Sequence, residues 1–492
     1  MERNLPGDER RHRGLRLNVF NSNEIRDIHL ASLQILEKTG VCIDSGLAVE
    51  ILDGTGASIE KKGNIVKFPS QLVEDAIQSC PPNFILCGRI PKDDIALESN
   101  RISFSNFGGA LNVVDPFTGK IRSSTKADLA ASALLVDHLE ELDLYKVALN
   151  ACDVPQSLLH LHHAAITLSN TSKPFYLPGG DAYQTNKIIE MAAAVVGGPN
   201  KLVKRPILII SACPASPLKL PKNTCEIIME CARSKTPVSA TPMALAGASA
   251  PVTLAGALVL HNAEVLASLV LHQVTSRGAP ILYGSVTTSM DLRFGTASMG
   301  APEMSMMGAA VAQLARHYGL PSNVGGGSDS KVSDGQAAHE ITFSALLPAL
   351  AGANILTGAG SLEMGITLSL GQMVSDCDFI RMIQHAVRGI PVEDETLAVD
   401  VIHDVGSSRD YLSHDHTLKH MHTSQVRLGL IDRRMRAEWK NRGSTDIHQR
   451  AQERVKHILA THKPDPLSKR VAAKVRSILE EAEEEQYISK LN

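Results

Sequence analysis

Between about Arg101 and Ile390 the chain repeats one pattern, in which a short β-branched or apolar run precedes a longer helical run. The candidate strands are RISFS, LYKVALN, PFYLPG, PILIISA, PVSATP, PILYGS, PSNVGG and ANILTG. The helical runs between them cover about 126–139, 155–169, 184–197, 221–234, 253–277, 302–318, 334–351 and 368–388. Such alternation is typical of a parallel sheet. The number of units and their total length favour an α/β fold of the closed (β/α)8 TIM barrel type over an open doubly wound sheet.

The residues at the strand boundaries agree with this prediction. Five candidate strands begin with proline, which is tolerated at the first position of a strand but not within it. Several strands end in glycine, as at Gly179-Gly180 and Gly325-Gly326-Gly327. Glycine there permits an ordinary tight turn or a close approach of a ligand. Because barrel enzymes carry their chemistry at the carboxyl ends of the strands, we expect these turns to form the rim of a site.

The regions that flank the predicted barrel differ in pattern. Residues 1–98 predict a small α+β segment with a helix from about Asn23 to Lys38, a hairpin around Gly63 and a helix start at Pro69-Ser70. Residues 99–390 are assigned to the catalytic barrel. Residues 391–492 become irregular and then helical and highly charged. We expect this C-terminal extension to wrap the barrel or to contact other subunits, and we predict a homo-oligomer.

Charge and cysteine usage narrow the class of protein. A net charge of −3 gives no reason to expect a nucleic acid or a membrane as the partner. The charged start of the chain does not resemble a signal peptide, and no long uncharged apolar run suggests a transmembrane span. The eight cysteines are scattered and form no C-x-x-C pair. Reduced thiols in a cytoplasmic protein explain this spacing.

Polar side chains that follow the predicted strands are the candidate catalytic residues. Motifs for phosphate-binding loops and for the nucleophile elbow are absent from the sequence. Asp329 follows the seventh strand and Glu363 the eighth, so both should face the same mouth, and His339 lies in the helix between these strands. The alternative role for such residues is capping of helices or loops. The wider set of candidates is Asn106, Asn150, Asp181, Thr241, Ser285, Asp291, Arg293, Asp334 and Glu340.

The stretch HDHTLKHMH at 414–422 suggests a metal site, because His416 and His420 have a spacing that can chelate on a helix. Asp415 is the one carboxylate in the stretch, and the stretch lies outside the barrel. We therefore favour a surface or interface role and predict that the protein has no metal of its own.

Four long segments resemble the trimethylamine methyltransferase family. They are FSNFGGALNVVDPFTGKIRSSTKADLA, SMDLRFGTASMGAPEMSMMGAAVAQLARHYGLPSN, GGGSDSKVSDGQAAHE and LAGANILTGAGSLEMG. The resemblance implies a (β/α)8 barrel that moves a methyl group from a methylated amine to the cobalt of cob(I)alamin, carried by a separate corrinoid protein. Archaeal founding members use pyrrolysine in the barrel mouth, whereas this sequence contains only the standard twenty residues. We place the missing residue in the run that contains Gly326, Gly327 and Ser328.

The absence of pyrrolysine favours a quaternary amine, with glycine betaine or a related betaine as the substrate. A quaternary ammonium group already carries its charge and leaves as a neutral amine, so its transfer needs little acid–base help. Aromatic faces hold such cations. Phe107, Tyr176, Tyr283 and Phe294 lie at or near predicted strand ends and are the candidates for this cage. Arg293 is the candidate for a betaine carboxylate, because its planar fork suits that group.

Two other classes of function stay open. One is a TIM-barrel lyase or decarboxylase that uses no corrinoid, and the other is a small-molecule binding protein. A Schiff-base enzyme needs a lysine at a strand end. Lys146 lies on a predicted strand, and no other barrel-strand lysine stands out. The glycine-lined mouth argues against a purely structural role.

Overall fold

The computed structural model describes residues 15–60, 62–98, 101–407 and 409–491. Eight parallel strands form one sheet in which each strand pairs with its sequence neighbours, and a bridge between Ser105 and Leu144 joins the first strand to the second. The sheet is therefore a closed barrel, as predicted. Its strands are β1 (Ser103–Asn106), β2 (Tyr145–Lys146), β3 (Phe175–Pro178), β4 (Leu208–Ala212), β5 (Val238–Ala240), β6 (Ile281–Ser285), β7 (Ser322–Gly325) and β8 (Ile355–Ala359).

One long helix follows each strand and covers the outside of the barrel. These helices are α1 (Lys126–His138), α2 (Leu159–Asn170), α3 (Ala182–Val196), α4 (Lys222–Ser234), α5 (Leu254–Thr275), α6 (Pro302–His317), α7 (Gly335–Leu350) and α8 (Leu370–Arg388). Short helices add to the connections at Gln156–Leu158, Pro199–Lys204 and Glu363–Gly365. Each predicted strand and helix overlaps its observed counterpart, so the predicted fold class is confirmed.

The barrel interior is apolar at its amino end and is closed there. Leu144, Ile209, Leu282 and Ile355 project inward and pack with Leu86, Ile95 and Leu97. The last three belong to an antiparallel hairpin, Phe84–Leu86 with Ile95–Leu97, which we call the underside hairpin. Burial of these side chains stabilises the barrel and leaves its carboxyl end as the open side, where the strand-end loops lie.

The N-terminal segment packs on the barrel and shares a sheet with it. Helix Ser22–Gln34 continues as a wider turn through Ile35–Thr39, and the predicted hairpin forms between Ser58–Glu60 and Ile65–Lys67. Strand Val41–Ile43 pairs with this hairpin and also, in parallel, with Lys219–Leu220 from the loop after β4. Helices Gly46–Leu52, Ser70–Ser79 and Pro91–Asp93 complete the segment. The segment is thus held to the barrel by backbone hydrogen bonds.

Helix α5 is largely enclosed by other parts of the protein. Within the described ranges it is the helix that has the length and apolar character of a membrane span, and 72% of its most apolar stretch is buried. It packs against α4 and the N-terminal helices Ser22–Gln34 and Ser70–Ser79. A core helix has this same environment, since it is covered by protein on all sides.

Two small sheets that the sequence pattern did not predict lie in the loops at the carboxyl end. One consists of Ser361–Leu362, Thr367–Ser369, Asn112–Val114 and Ile121–Ser123, and it joins the loops after β8 and β1. The other consists of Leu245–Ala246, Thr288–Asp291 and Thr296–Ser298, and it joins the loops after β5 and β6. These sheets give the mouth of the barrel a raised and ordered rim.

The C-terminal extension wraps around the helical layer, which is one of the two roles expected for it. Its helices are Asp394–Leu397, Val399–Val405, Asp415–Ser424, Arg436–Asn441, Ile447–Thr461 and Lys469–Leu491. Helix Ile447–Thr461 packs on α8 and α1, and helix Lys469–Leu491 packs on α2 and α3. The extension thus links the last barrel helix to the first three.

Candidate functional site

The floor of the mouth is polar and lies directly above the apolar interior. Tyr176 on β3 points into the barrel, where its hydroxyl donates to Ser211 Oγ at 3.1 Å and lies 3.1 Å from Thr241 Oγ1. Asn323 approaches from β7 on the opposite side, with Nδ2 3.3 Å from the Tyr176 oxygen. The amide oxygen of Asn323 is buried and has no hydrogen-bond partner in the described part of the chain. A buried acceptor of this kind is available to a small ligand or a water molecule.

Lys146 adds a positive charge to this floor. It sits beside Tyr176 in the register of β2 and β3, and its Nζ lies 5.1 Å from the centre of the tyrosine ring. No carboxylate of the described residues lies within 4 Å of this Nζ. Burial lowers the pKa of Lys146 to about 8, so the ammonium form still predominates at neutral pH.

Neighbouring residues fix both the backbone and the side chain of Lys146. The side-chain amide of Asn106 donates to the Lys146 carbonyl at 2.6 Å and accepts from the Lys146 N–H at 3.0 Å. A Cβ atom at Gly108 would lie 2.6–2.8 Å from Cγ, Cδ and Cε of the lysine. Gly108 therefore has to be glycine for the lysine stem to pass, and β1 determines where the cation of β2 sits.

The loop after β7 is built around the carboxylate of Glu340. Glu340 Oε2 accepts from Ser328 Oγ at 2.8 Å, from the Asp329 N–H at 2.8 Å and from the Ser330 N–H at 3.3 Å. Hydrogen bonds to a charged acceptor are stronger than neutral ones. Glu340 on α7 thus holds the strand-end loop in one conformation.

Asp329 continues this network into the neighbouring loop. Its two carboxylate oxygens accept from the N–H groups of Met299 at 2.7 Å and Gly300 at 3.1 Å. Burial is the largest influence on this carboxyl and raises its pKa. Asp329 does lie at the mouth, as expected, but both of its oxygens tie the loop after β6 to the loop after β7.

Phe107 packs against the loop after β8, and Glu363 belongs to that loop. The Phe107 N–H donates to the Ala359 carbonyl at 2.8 Å, and the ring packs so closely on Gly365 that a side chain there would overlap it. Glu363 accepts from Thr367 Oγ1, and its N–H donates to the Ser330 carbonyl at 2.8 Å. An aromatic ring and a carboxylate therefore share this wall of the mouth.

Asp376 on α8 anchors the turn that follows β8. The fully buried carboxyl accepts from the Gly360 N–H at 2.8 Å and from Gln372 Nε2 at 2.7 Å. Burial raises its pKa from 3.8 to about 7. Because the folded protein holds this proton more tightly than the unfolded chain does, the contribution of Asp376 to stability is present at low pH and lost as pH rises from about 4 to 7.

Replacement of Asp376 by Asn removes this titration. An amide keeps the hydrogen bond from Gly360, and Gln372 can rotate its own amide to match. We expect Asp376→Asn to match the parent in stability at pH 4 and to exceed it by about 2–4 kcal/mol at pH 8. Thermal unfolding of both proteins across this range measures the difference. A difference that is constant with pH would contradict the assignment.

Three of the predicted site residues do not reach the floor. Tyr283 on β6 faces outward, where its hydroxyl donates to Asn262 Oδ1 of α5 at 2.7 Å. Arg293 pairs with Asp291 through Nε and Nη2 and is 79% exposed. His339 lies on the exposed face of α7, stacked on Phe343. These placements correct the roles expected for Tyr283 as a cage, Arg293 as a carboxylate ligand and His339 as a catalytic group.

Phe294 lies beside Arg293 at the tip of the hairpin between Thr288–Asp291 and Thr296–Ser298. The arginine carbon Cζ is 5.2 Å from the centre of its ring, and Phe294 is 74% exposed. The expectation that Phe294 lines a cage at the strand ends is therefore corrected, because its hairpin carries it to the outer rim.

The glycine run after β7 differs from residue to residue. A Cβ at Gly326 would approach Ser344 of α7 and the Thr357 carbonyl, whereas one at Gly327 would approach Ser361 and Met299 of the mouth loops. The Ser328 hydroxyl is buried and bound to Glu340. Placement of the missing pyrrolysine in this run stays a prediction. Of the wider candidates, Asp181 and Asp334 cap α3 and α7, as the alternative interpretation held.

The histidines at 414–422 contact carboxylates in pairs. His414 lies 3.6 Å from Asp404, and His420 lies 3.3 Å from Glu395. The rings of His416 and His420 are 4.4 Å apart. No cluster of three or more potential metal ligands occurs among the residues with described positions.

A separate cavity of about 760 Å³ lies under the opposite end of the barrel. Arg89 and Arg205 line it, but Arg89 donates to the carbonyls of Thr171 and Asp465, and Arg205 pairs with Asp94. Both arginines are thus already paired with the protein. The mouth combines the partnerless buried oxygen of Asn323 with the cation of Lys146 and is therefore the candidate site.

Sequence reasoning missed the two residues that organise this mouth. Lys146 was noted only as a strand lysine, and the inward direction of its side chain follows from the strand register. Glu340 was one of many polar candidates, although the three loop positions that it binds, Ser328, Asp329 and Ser330, are all small or polar. The available signal was the carboxylate of Glu340 itself, which lies in the second turn of the helix that follows a glycine-rich loop.

Comparisons with known proteins agree with this architecture. The family model described as trimethylamine methyltransferase (MTTB) matches residues 7–486. The chain is 45% identical to trimethylamine methyltransferase MttB of Desulfitobacterium hafniense (strain DSM 10664 / DCB-2), over 96% of this chain and 95% of that protein. It is 30% identical to glycine betaine methyltransferase of Desulfitobacterium hafniense (strain Y51), over 94% and 96%.

Among solved structures, the monomethylamine methyltransferase MtmB of Methanosarcina barkeri aligns with a TM-score of 0.50 and 14% identity, over 91% of this chain and 95% of that one. At this identity the similarity concerns the fold. The sequence matches extend over nearly the whole chain, and the barrel and its mouth are described above on independent grounds. The chain belongs to the trimethylamine methyltransferase (MTTB) family and is a methyltransferase.

Proposed function

We propose that the protein transfers a methyl group from a quaternary amine of the betaine type to the cob(I)alamin of a separate corrinoid protein. The observation that carries this proposal is the state of the carboxylates at the mouth. Both oxygens of Asp329 accept from backbone N–H groups, and Glu340 is filled by the loop after β7. Neither of these two carboxylates is free to move a proton, and Glu363, the third at the mouth, is assigned below to the substrate ammonium, so the site suits a donor that needs no acid or base.

A quaternary ammonium group meets that requirement. When its methyl carbon is attacked, the C–N bond breaks, its electron pair stays on nitrogen, and a neutral tertiary amine leaves. Bound at the mouth, cob(I)alamin supplies the electron pair that forms the new bond to the methyl carbon. The protein then contributes positioning and exclusion of water, which account for much of the rate in such reactions.

Phe107 and Glu363 are the proposed ligands of the ammonium group. The ring of Phe107 and the carboxylate of Glu363 lie on the same wall of the mouth, and aromatic faces attract quaternary ammonium groups. The polar floor that starts at Tyr176 lies below them. A methyl group held by this wall is on the open side of the barrel.

The rim of the mouth offers an apolar surface for the corrinoid protein. Large apolar side chains on the loops after β1, β5, β6, β7 and β8 are exposed: Leu111, Phe117, Met243, Val252, Leu292, Phe294, Val332 and Ile366. Exposed apolar groups that surround a site are typical of a protein–protein contact. We therefore propose that the corrinoid protein docks on this rim.

Substitution of Phe117 and Leu292 by Asp tests the docking surface. These side chains are 66% and 64% exposed, so the protein should fold normally. We expect methyl transfer to the corrinoid protein to fall at least about tenfold, because a buried apolar contact is replaced by a charge. Transfer to free cob(I)alamin should stay unchanged. Val203→Asp, on the short helix Pro199–Lys204 that leads into the amino end of β4, is the matched control, and an equal loss there would refute the assignment.

Methyl transfer itself is tested by anaerobic absorbance of free cob(I)alamin with the protein and one amine at a time. The amines are glycine betaine, carnitine, proline betaine and trimethylamine. Loss of the cob(I) band with one of the quaternary amines, together with its demethylated product, supports the proposal. Activity with trimethylamine alone would overturn the choice of a quaternary amine, and silence with all four would count against this function.

The observed position of Lys146 favours one second candidate, a corrinoid-independent lyase that forms a Schiff base. An inward-facing lysine whose pKa is lowered to about 8 by burial is a better nucleophile than a surface lysine. Borohydride reduction in the presence of small ketones and aldehydes tests this candidate. A covalent adduct at Lys146, found by peptide mass spectrometry, would favour it over methyl transfer.

We further propose that the protein is cytoplasmic and forms a homo-oligomer. All eight cysteines are free thiols, which suits a reducing compartment. Ile390 at the start of the C-terminal extension and Val399, Leu412 and Leu418 within it are 90%, 66%, 86% and 70% exposed. Apolar exposure of this extent supports association of copies through the extension. Light scattering of the purified protein measures the number of copies.

A further inference from the structure

We propose that Lys146 binds the carboxylate of the substrate and thereby selects zwitterionic methylated amines over simple quaternary cations. The inference rests on the proposed function, which supplies the ammonium group of the substrate. It adds that the substrate carries a carboxylate and that Lys146 binds it, neither of which methyl transfer requires. Its basis is the position of Lys146, whose ammonium group has no carboxylate partner among the described residues and lies on the floor of a mouth that is proposed to bind a substrate ammonium group.

The charge on the floor is incompatible with a substrate that is only positive. Two like charges about 5 Å apart repel by about 3 kcal/mol at the effective dielectric constant of a protein surface. A carboxylate next to Lys146 reverses the sign of that interaction. A substrate with an ammonium group at one end and a carboxylate at the other therefore matches a site that has Glu363 and Phe107 on the wall and Lys146 on the floor.

A comparison with Lys173 shows what a structural lysine looks like in this fold. The buried Lys173 donates to three backbone carbonyls, those of Val136, Leu139 and Leu142, at 2.6–2.7 Å. All three of its N–H groups are thus used. Lys146 has no such acceptors in the described structure, although Asn106 holds its backbone in place and Gly108 leaves room for its stem. A lysine that is positioned but left without acceptors is available to a ligand.

The orientation that follows agrees with the rest of the site. When its carboxylate is bound to Lys146, the substrate extends from the floor toward the open end of the barrel. Its ammonium group then lies beside Phe107, the residue before Gly108. A methyl group then faces the open end of the barrel. Ser211 lies beside Tyr176 on the same floor and can donate a second hydrogen bond to the carboxylate.

Binding measurements without any corrinoid separate this inference from the proposed reaction. Isothermal titration calorimetry of the parent protein and Lys146→Met, with glycine betaine and with tetramethylammonium as probes, gives two affinities for each protein. We expect Lys146→Met to weaken glycine betaine about 100-fold and to leave tetramethylammonium unchanged or bound more tightly. The matched control Lys456→Met removes an exposed lysine on helix Ile447–Thr461, which packs on the outside of the helical layer, and should leave both affinities within twofold.

The pH dependence of glycine betaine binding is a second test, because a lysine with a purely structural role would not change it. As pH rises from 7 to 9.5, Lys146 loses its proton and glycine betaine should bind more weakly, whereas Lys146→Arg should bind it with little dependence on pH. Tyr176 and Cys213 are the other titratable groups that face Lys146. Repeating the profile with Cys213→Ser therefore assigns the transition, because burial raises the pKa of Tyr176 above this range.

Each result has one interpretation. Loss of glycine betaine affinity in Lys146→Met, with tetramethylammonium retained, supports the inference even if no methyl transfer is found, in which case the proposed reaction fails and the binding site stands. Equal glycine betaine affinity in the parent and Lys146→Met overturns the inference while leaving methyl transfer intact. Equal loss of both probes also overturns it, because the substitution then disrupts the mouth as a whole.

Discussion

Replacement of Glu340 by Ala is expected to abolish most of the methyl transfer and to destabilise the protein. The substitution leaves the N–H groups of Asp329 and Ser330 and the hydroxyl of Ser328 without their acceptor. Loss of these bonds should cost about 3 kcal/mol of unfolding free energy. The loop after β7 would then move, and Asp329 would carry the neighbouring loop with it. Displacement by about 1 Å is enough to lower the rate about 100-fold.

Glu340→Gln is the control that isolates the hydrogen bonds from the charge. A glutamine oxygen can accept from the same three donors, and Gln336 can rotate its amide to accept from the new NH₂ group. We expect this variant to keep most of the stability and activity. The measurements are thermal unfolding and the rate of cob(I)alamin methylation. If the two variants were equally impaired, the loop would depend on the negative charge and not on the geometry of the acceptor.

Gly358→Ala is expected to have the second large effect, mainly on folding. Gly358 occupies a bulge in β8, where the register with β1 shifts, and its φ is +153°. A Cβ there would lie 2.9 Å from the backbone carbon and oxygen of Gly326, the residue that follows β7. Backbone atoms of a barrel strand cannot move aside cheaply, so we expect a loss on the order of 3–5 kcal/mol and little soluble protein.

Gly335→Ala provides the matched glycine control. Gly335 is the first residue of α7, and a Cβ there would meet no atom within 4 Å. We expect no loss of stability, and a gain of up to about 1 kcal/mol from the better helix propensity of alanine. The midpoint of thermal unfolding compares the two variants. Normal stability of Gly358→Ala would mean that β7 and β8 separate more easily than the bulge geometry implies.

The order of strands and helices was predictable because each element left a local mark. PFYLPG and PILYGS, for example, combine a proline at the start, β-branched or aromatic residues and a glycine at the end, and they became β3 and β6. The two small sheets at the rim were missed, because their strands are only two to four residues long and lie inside loops. Such short strands depend on pairing with distant loops, which local sequence does not record.

Tyr283 shows why the site was harder to predict than the fold. Tyr176 and Tyr283 both lie on barrel strands, yet Tyr176 faces the interior and Tyr283 faces α5. In an all-parallel barrel both faces of a strand are buried, so apolar alternation does not tell the inner face from the outer one. Leu282 projects inward, and a period of two then turns Tyr283 outward. Only the register between strands settles this choice.

The prediction that Arg293 binds a carboxylate was wrong for a different reason. The hairpin around it has a bidentate partner for the guanidinium two residues away, at Asp291, and local pairs of this kind satisfy an arginine before any ligand arrives. Lys146 differs from Arg293, because it has no carboxylate partner among the described residues. A missing partner is visible only when the surrounding side chains have been placed in three dimensions.

Under the proposed function, the underside hairpin also determines the order in which substrate and acceptor bind. Because Leu86, Ile95 and Leu97 seal the amino end of the barrel, the mouth serves as both entrance and exit. A small substrate and a macromolecular acceptor that both use this opening have to bind in a fixed order. The substrate binds first, before the acceptor covers the mouth. The demethylated amine stays trapped until the acceptor departs. Steady-state kinetics should therefore be compulsorily ordered, with inhibition at high acceptor concentration.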